Sequence, residues 1–431
     1  MKFTLSTVTK CSGRLGMLGG LQRLPNVGLQ TPALILHTKG GCVPHLSKEV
    51  MQLLSQESGF LQVSISNTLQ MQEAIKASQL SFSEFTAQNS CASLLFLRDP
   101  SESPIAGIPE KESIPVYTRY GRRNLTAQDY MTVVETFRPD AYVPLYDGDT
   151  DAASSKKREQ KSLDRTEKFV EQCLERHRNS DALRTSCLIG PIVGGFNEKL
   201  RERSVNFLQS LDASFVGYLI DGLYTHGVNV EHMDGTATLP IVTDVCSRLP
   251  AEKVRFCLGA FDPKLVLEMI AAGVDIFDTS YVYVKSAQQH RALVFSFDVA
   301  SPGEHVTELD TTDTRWADDF SPILPGCSCY TCKKHSRAYV HHLHNTREML
   351  GPILLMIHNL HHYMEYFKTI RTHVNNDTLP ELKKHMAEQK TLPPYKPPVE
   401  DKKVLPASVL KTDLLPAADV VEDKQSKKQR A

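Results

Sequence analysis

Nowhere in the 431 residues does an apolar run reach the roughly 18 positions of a membrane span. The N-terminus, "MKFTLSTVTKCSGRLG", has no unbroken apolar core of the signal-peptide kind; it alternates apolar and polar side chains. Neither charge sign is in excess, since 49 Lys and Arg stand against 50 Asp and Glu for a formal net charge of −1. That balance excludes binding to nucleic acid through a global field, so any nucleic-acid surface must be a local basic patch. No glycine-rich loop of the GxGxxG or Walker type follows the first predicted strand, which counts against a nucleotide-binding fold. Disulfide-style cysteine spacing is missing too. Seven of the ten cysteines (Cys11, Cys42, Cys91, Cys173, Cys187, Cys246 and Cys257) are scattered, most of them in apolar runs such as "TSCLIGPIV" and "VRFCLGA". There a reduced cysteine behaves as a small hydrophobe, and the usage reads as cytoplasmic.

What the chain does contain is alternation. Short apolar runs, "TPALILHT" (31–38), "SLLFL" (93–97), "AYVPLYD" (141–147), "CLIGPIV" (187–193), "FVGYLID" (215–221), "VRFCLGA" (254–260), "VDIFDTSY" (274–281) and "ALVFSF" (292–297), predict strands. Segments of helical period lie between several of them. One, "DPKLVLEMIAAG", opens with a capping aspartate and a proline at the first helical position and stops at Gly273. Apolar strands separated by amphipathic helices argue for a parallel sheet covered by helices, and about eight such units fit an α/β (β/α)8 barrel. The organisation predicted is a barrel body over 1–300, a polar surface insertion over 301–320, a metal-binding subdomain with a long helix over 321–374, and a disordered tail over 375–431. The lysine-rich spacer 148–162 reads as a solvated loop ahead of a phosphate-contacting one.

The densest chemistry lies in "PGCSCYTCKKHSRAYVHHLH" (325–344). Cys327, Cys329 and Cys332 are spaced so that three thiolates reach one tetrahedral centre. A fourth donor must come from elsewhere, and histidines 335, 341, 342, 344, 358, 361 and 362 are available. His335 follows Cys332 too closely for easy geometry. His358 lies beside an apolar stripe (Leu350, Ile353, Ile357, Leu360, Met364, Phe367) on the long helix, where it serves equally well as a ligand or as a hydrogen-bonded core histidine. Three cysteines and one histidine would close the shell without a water position, making the metal structural.

These residues, with "HNLHHY" downstream, resemble the zinc-binding signature of the tRNA-guanine transglycosylases, the queuine tRNA-ribosyltransferases. The resemblance extends over most of residues 11–370, through "QTPALILHTKGG", "YDGDTDAASSKKREQKSLDRT" and "LGAFDPKLVLEMIAAGVDIFD". It implies a (β/α)8 barrel carrying one structural Zn2+ on Cys327, Cys329, Cys332 and His358. The reaction it implies is exchange of guanine for queuine at the tRNA wobble position. An aspartate attacks the ribose, a second aspartate handles the proton, and an Asp, Gln and Gly pocket reads the base.

This chain departs from that pattern at most of the positions that carry the reaction. Asp278 stands at the nucleophile position, but "TSYVYVK" follows it where the catalytic enzymes continue Cys-Val-Leu-Pro-Thr-Arg. The DSGGFQ motif is replaced by "LLFLRDPSESPIAG", in which Asp99 is the only candidate acid. "GPIVGG" has Val193 in place of the glutamine that would read a base edge, and "DGLYTHG" has Asp221 in place of a glycine. Asp147 does match the pocket aspartate. Losing a positioned general acid or base typically costs about 10²–10⁴-fold in rate.

The resemblance therefore implies a noncatalytic member of the family. Such a chain would pair with the catalytic subunit of queuine tRNA-ribosyltransferase as a heterodimer and help to dock tRNA. Lys333, Lys334 and Arg337 are candidate phosphate contacts. Tyr339, His342 and the 350–367 stripe are candidates for the subunit interface, with packing on the barrel as the alternative. A self-sufficient transglycosylase using Asp278 is the competing expectation, and a queuine-binding salvage protein a weaker one. The resemblance also permits peripheral association with the mitochondrial outer membrane.

Overall fold

The computed structural model describes residues 1–10, 13–54, 59–103, 110–211, 215–301, 303–393 and 395. Residues 1–393 form one compact unit; the remainder, 394–431, lies almost wholly outside the described residues, as does Cys11. The centre of the fold is a closed barrel of eight parallel strands, here β1 (Ala33–His37), β2 (Phe60–Ser64), β3 (Ala92–Phe96), β4 (Ala141–Tyr142), β5 (Cys187–Ile192), β6 (Phe215–Ile220), β7 (Val254–Phe256) and β8 (Ile276–Asp278). Each strand pairs with its sequence neighbour, and β8 returns to β1 through Ile276–Ala33 and Asp278–Ile35. A three-stranded antiparallel sheet (Lys2–Val8, Arg14–Gly19, Leu29–Thr31) precedes the barrel.

The barrel is the expected fold, but one of its strands differs from the sequence reading. "ALVFSF" does not enter the barrel: Arg291–Leu293 pairs antiparallel with Glu308–Asp310 instead. The missing barrel strand is β2, "FLQVS", buried along its whole length, in which Gln62 and Ser64 break the apolar run that marks the others. The helix Pro263–Ala271 matches expectation, with Asp262 accepting a hydrogen bond from the Lys264 amide at 2.7 Å and Gly273 at φ +99°.

Three further expectations change. The spacer 148–162 is not wholly a loop, because Ser155 caps the helix Lys156–Arg178 and its second half forms the first turns. The polar insertion 301–320 contributes the strand Glu308–Asp310, with Glu308 buried against Arg291 and Lys285. The predicted tail begins too early, since Leu379–Ala387 is a helix that buries Leu379, Leu382 and Met386. Its proline- and lysine-rich flank had diluted those apolar residues. Residues 396–431 of the predicted tail lie outside the described residues.

The long helix, Leu350–Asn375, packs on the barrel through Leu360, Tyr363, Phe367 and Ile370. Leu354 and Leu355 instead join a second small core with Ala292, Ile323, Val340 and Leu343. Serving two cores, the helix is buried around more of its circumference than the predicted stripe, while Leu350 at its start is exposed.

Candidate functional site

Two sites were expected: the cysteine cluster and the mouth of the barrel. The structure brings the ligand atoms of Cys327, Cys329, Cys332 and His358 within 4.8 Å of one another. Cys327 and Cys329 lie in the loop after Gly326, whose φ of +82° turns the chain tightly. Cys329 then caps the short helix Tyr330–Lys334, its sulfur accepting from the Cys332 amide at 3.3 Å. His358 reaches over from the long helix. Its Nε2 donates to the Leu293 carbonyl at 2.9 Å, which fixes the tautomer and leaves Nδ1 facing the sulfurs at 3.8, 3.6 and 3.3 Å. Bonds of about 2.3 Å to sulfur and 2.0 Å to nitrogen place tetrahedral donors close to these separations. The four residues can hold one metal ion.

At the C-terminal mouth of the barrel, each acid singled out in the sequence is already engaged by the chain itself. Asp278 ends β8 with 2% exposure; one carboxylate oxygen accepts from the Gly259 amide at 2.7 Å, the other from Ser280 N at 2.6 Å. Burial pushes its carboxyl above the ordinary value, the wrong direction for an ionised nucleophile. Asp147, after β4, is fully buried and held by both nitrogens of Arg158 at 2.9 and 2.6 Å and by Arg165.

Asp99, after β3, lies 2.8 Å from His37 Nε2 and accepts from Ser101 and from Asn67 Nδ2 at 2.9 Å, with Lys39 at 3.5 Å. Burial pushes its carboxyl up, yet His37 and Lys39 outweigh that and hold it well below the usual range. Asp221, directly after β6, accepts from Tyr146 Oη at 2.6 Å and from Gly222 N at 2.7 Å, with His226 Nε2 at 3.7 Å. Here too burial acts upward and is outweighed, chiefly by His226, so the carboxyl is lowered.

Val193 is fully buried in the "GPIVGG" turn. The two glycines after it hold positive φ, and at Gly194, with φ +140°, an added Cβ would lie 2.9 Å from the backbone nitrogen of Arg201. Arg201, wholly buried, clamps the turn through the carbonyls of Ile192, Gly195 and Asp221 at 2.7–2.9 Å.

His37, Tyr146 and Arg201 lie inside ordinary apolar or helical stretches, and His226 lies in "DGLYTHG", where only Asp221 stood out. Of the basic candidates, Lys333 and Lys334 are exposed. Arg337 is turned inward instead, bonding Asp319 at 3.0 Å and the Ile323 carbonyl, with its guanidinium over the Trp316 ring. Tyr339 and His342 are exposed on the helix Arg337–Asn345. Phe320, Tyr330 and Met349 are exposed nearby in sequence, giving this subdomain a run of uncovered large apolar side chains. Among the described residues no helix is long and apolar enough to cross a membrane.

Comparison with known proteins fits this geometry. A family model described as queuine tRNA-ribosyltransferase matches residues 10–391. A protein of Anopheles gambiae named queuine tRNA-ribosyltransferase accessory subunit 2 is 71% identical, covering all of both chains. Proteins of the same name from Culex quinquefasciatus and Drosophila virilis are 55% and 44% identical. Each alignment covers 91% of this chain, and 92% and 93% of the relative respectively.

Proposed function

The chain belongs to the queuine tRNA-ribosyltransferase family, and we propose that within it the chain is the noncatalytic accessory subunit of a heterodimer. It supports exchange of guanine for queuine at the tRNA wobble position by pairing with the catalytic subunit and helping to hold tRNA. The observation that carries this reading is the state of the barrel mouth. Asp99, Asp147, Asp221 and Asp278 all accept hydrogen bonds from the chain's own donors, so none of the four stands free as a nucleophile or proton carrier for a substrate.

Cys327, Cys329, Cys332 and His358 would hold one zinc ion. A thiolate-rich tetrahedral set suits zinc, and a shell filled by protein leaves no position for a reacting water, so the ion would brace the fold. The bond from His358 to Leu293 ties that brace to the strand Arg291–Leu293. The uncovered Tyr330, Tyr339 and Met349 support this subdomain as the face that meets the catalytic subunit. The reduced, buried Cys173, Cys246 and Cys257 support a cytoplasmic location.

The test is base exchange with labelled guanine, by the purified chain alone and mixed with the catalytic subunit. Activity only in the mixture, unchanged by Asp278→Asn in this chain, is the expected result. Incorporation by the isolated chain that Asp278→Asn abolishes would replace this reading with the self-sufficient transglycosylase.

A further inference from the structure

We infer that the hairpin made by Ile114–Thr118 and Gly121–Leu125 is an RNA-docking element: its tip stacks on an unpaired base while its arginines meet the neighbouring phosphates. The inference rests on the tRNA-holding role proposed above and names the surface that performs it.

From Ser113 to Gln128 the chain has three arginines, Arg119, Arg122 and Arg123, and no carboxylate, although Glu110 just before it accepts from Asn124 Nδ2 at 2.7 Å. In a molecule of net charge −1 this is the kind of local basic patch that nucleic-acid binding requires. At the tip, Tyr120 is 66% exposed. The Arg119 guanidinium lies over its ring, 4.9 Å from the centroid, and Arg119 Nη2 donates to its hydroxyl at 2.8 Å. The turn explains Gly121, whose φ is +103°, but it makes no demand for an aromatic ring at 120. A ring in water beside a guanidinium adds nothing to the core. It does offer an exposed ring with a cation held against it, and guanidinium planes and aromatic rings are both surfaces on which unstacked bases rest.

The hairpin also forms part of the barrel mouth. Tyr117, Thr118 and Arg119 line a cleft of about 790 Å³ shared with Asn67, Gln70 and Ser101, of which Asn67 and Ser101 already donate to Asp99. The deeper cations are already engaged, Lys39 by Asp99 and Glu102 and Arg98 by Asp149. Arg119, Arg122 and Arg123, by contrast, are exposed to solvent, where a phosphate can reach them. An acidic peptide would meet the same arginines but has no use for the exposed ring, which favours RNA.

The experiment titrates tRNA against the complex with the catalytic subunit over a series of salt concentrations. Arg122→Ala/Arg123→Ala is expected to weaken binding and flatten the salt slope by about 0.7–0.9 for each phosphate no longer neutralised. Tyr120→Ala is expected to weaken binding about fivefold to a hundredfold without changing the slope, and Tyr120→Trp to retain it. Unchanged affinity and slope, in variants that melt and assemble like the parent, would overturn the inference. So would polyglutamate that displaces tRNA and responds equally to Tyr120→Ala. Failure to assemble with the catalytic subunit would instead remove the functional proposal. The hairpin would then be judged by the same titration on the isolated chain, where absence of tRNA binding also overturns it.

Discussion

The hydroxyl of Tyr146 donates to Asp221 Oδ2 at 2.6 Å, joining two residues 75 positions apart across the barrel mouth. Both are buried, and Gly148 is packed so tightly behind them that an added Cβ would lie 3.0 Å from the same carboxylate oxygen. In the pattern this chain resembles, a glycine occupies the place of Asp221, and backbone lines the pocket. Here a carboxylate and a phenol joined by a hydrogen bond occupy that space, with His226 Nε2 3.7 Å from the carboxylate. The substitution is thus compensated: it converts a position that would meet substrate into one that stabilises the fold.

That compensation is measurable. Tyr146→Phe deletes a hydrogen bond to a buried carboxylate and is expected to cost about 1.5–3 kcal/mol of stability. Urea unfolding of the variant reads this directly, and base exchange by the mixed complex is expected to stay unchanged. A loss of exchange at intact assembly would mean that this mouth takes part in the reaction.

The metal cluster should behave as a brace. Cys329→Ser removes a thiolate donor but leaves a hydroxyl that can still cap the helix Tyr330–Lys334, so stoichiometric zinc is expected to be lost and the subdomain's melting temperature to fall through the metal site rather than the cap. The core beneath the loop is small, made of Ala292, Ile323, Val340, Leu343, Leu354 and Leu355, so binding free energy of the metal is expected to add to the folding free energy of the subdomain. Elemental analysis of folded protein decides: undiminished zinc in the variant would refute the ligand assignment.

The barrel was legible because seven of its strands are buried on both faces and therefore read as apolar runs. β2 was not, since its buried Gln62 and Ser64 interrupt the apolar run. The three cysteines were legible from local spacing. Their histidine was not selected by spacing, because His358 lies 26 residues beyond Cys332 and is brought back only by the packing of the long helix. The disabling of the barrel mouth was half visible. Substituted residues such as Val193 and Asp221 can be read in one dimension, whereas the groups that neutralise Asp147 and Asp99, Arg158 in a supposed loop and His37 inside "LILHT", become partners only when the barrel closes.

The His37–Asp99 pair predicts a pH dependence. The folded-state carboxyl is held below its ordinary value, so Asp99 binds its proton less readily in the folded chain than in the unfolded one. Its contribution is therefore complete above about pH 4, the ordinary aspartate value, and is lost as pH falls towards the depressed folded value. Asp99→Asn is expected to cost about 3 kcal/mol at pH 7. The gap between variant and parent should narrow steadily from pH 4 to pH 3. A gap that stays constant over that range would contradict the assignment, whatever the acid does to the metal site, since both proteins carry the same cysteines.

The uncovered side chains of the zinc-binding subdomain give the last prediction. Met349 is 79% exposed at the start of the long helix, and Tyr339 is exposed on the helix before it. Neither contributes to the small core beneath. Met349→Glu and Tyr339→Glu should therefore leave folding and zinc content intact. If this face meets the catalytic subunit, burying a carboxylate against it removes an anchor and adds an unpaired charge, and loss of one well-packed anchor alone is worth about 2 kcal/mol, or roughly thirtyfold in affinity. Sedimentation of the mixed subunits measures that loss. Heterodimers of parental affinity in both variants would move the interface to another face of the barrel, leaving the readings of the metal site and the barrel mouth as they are.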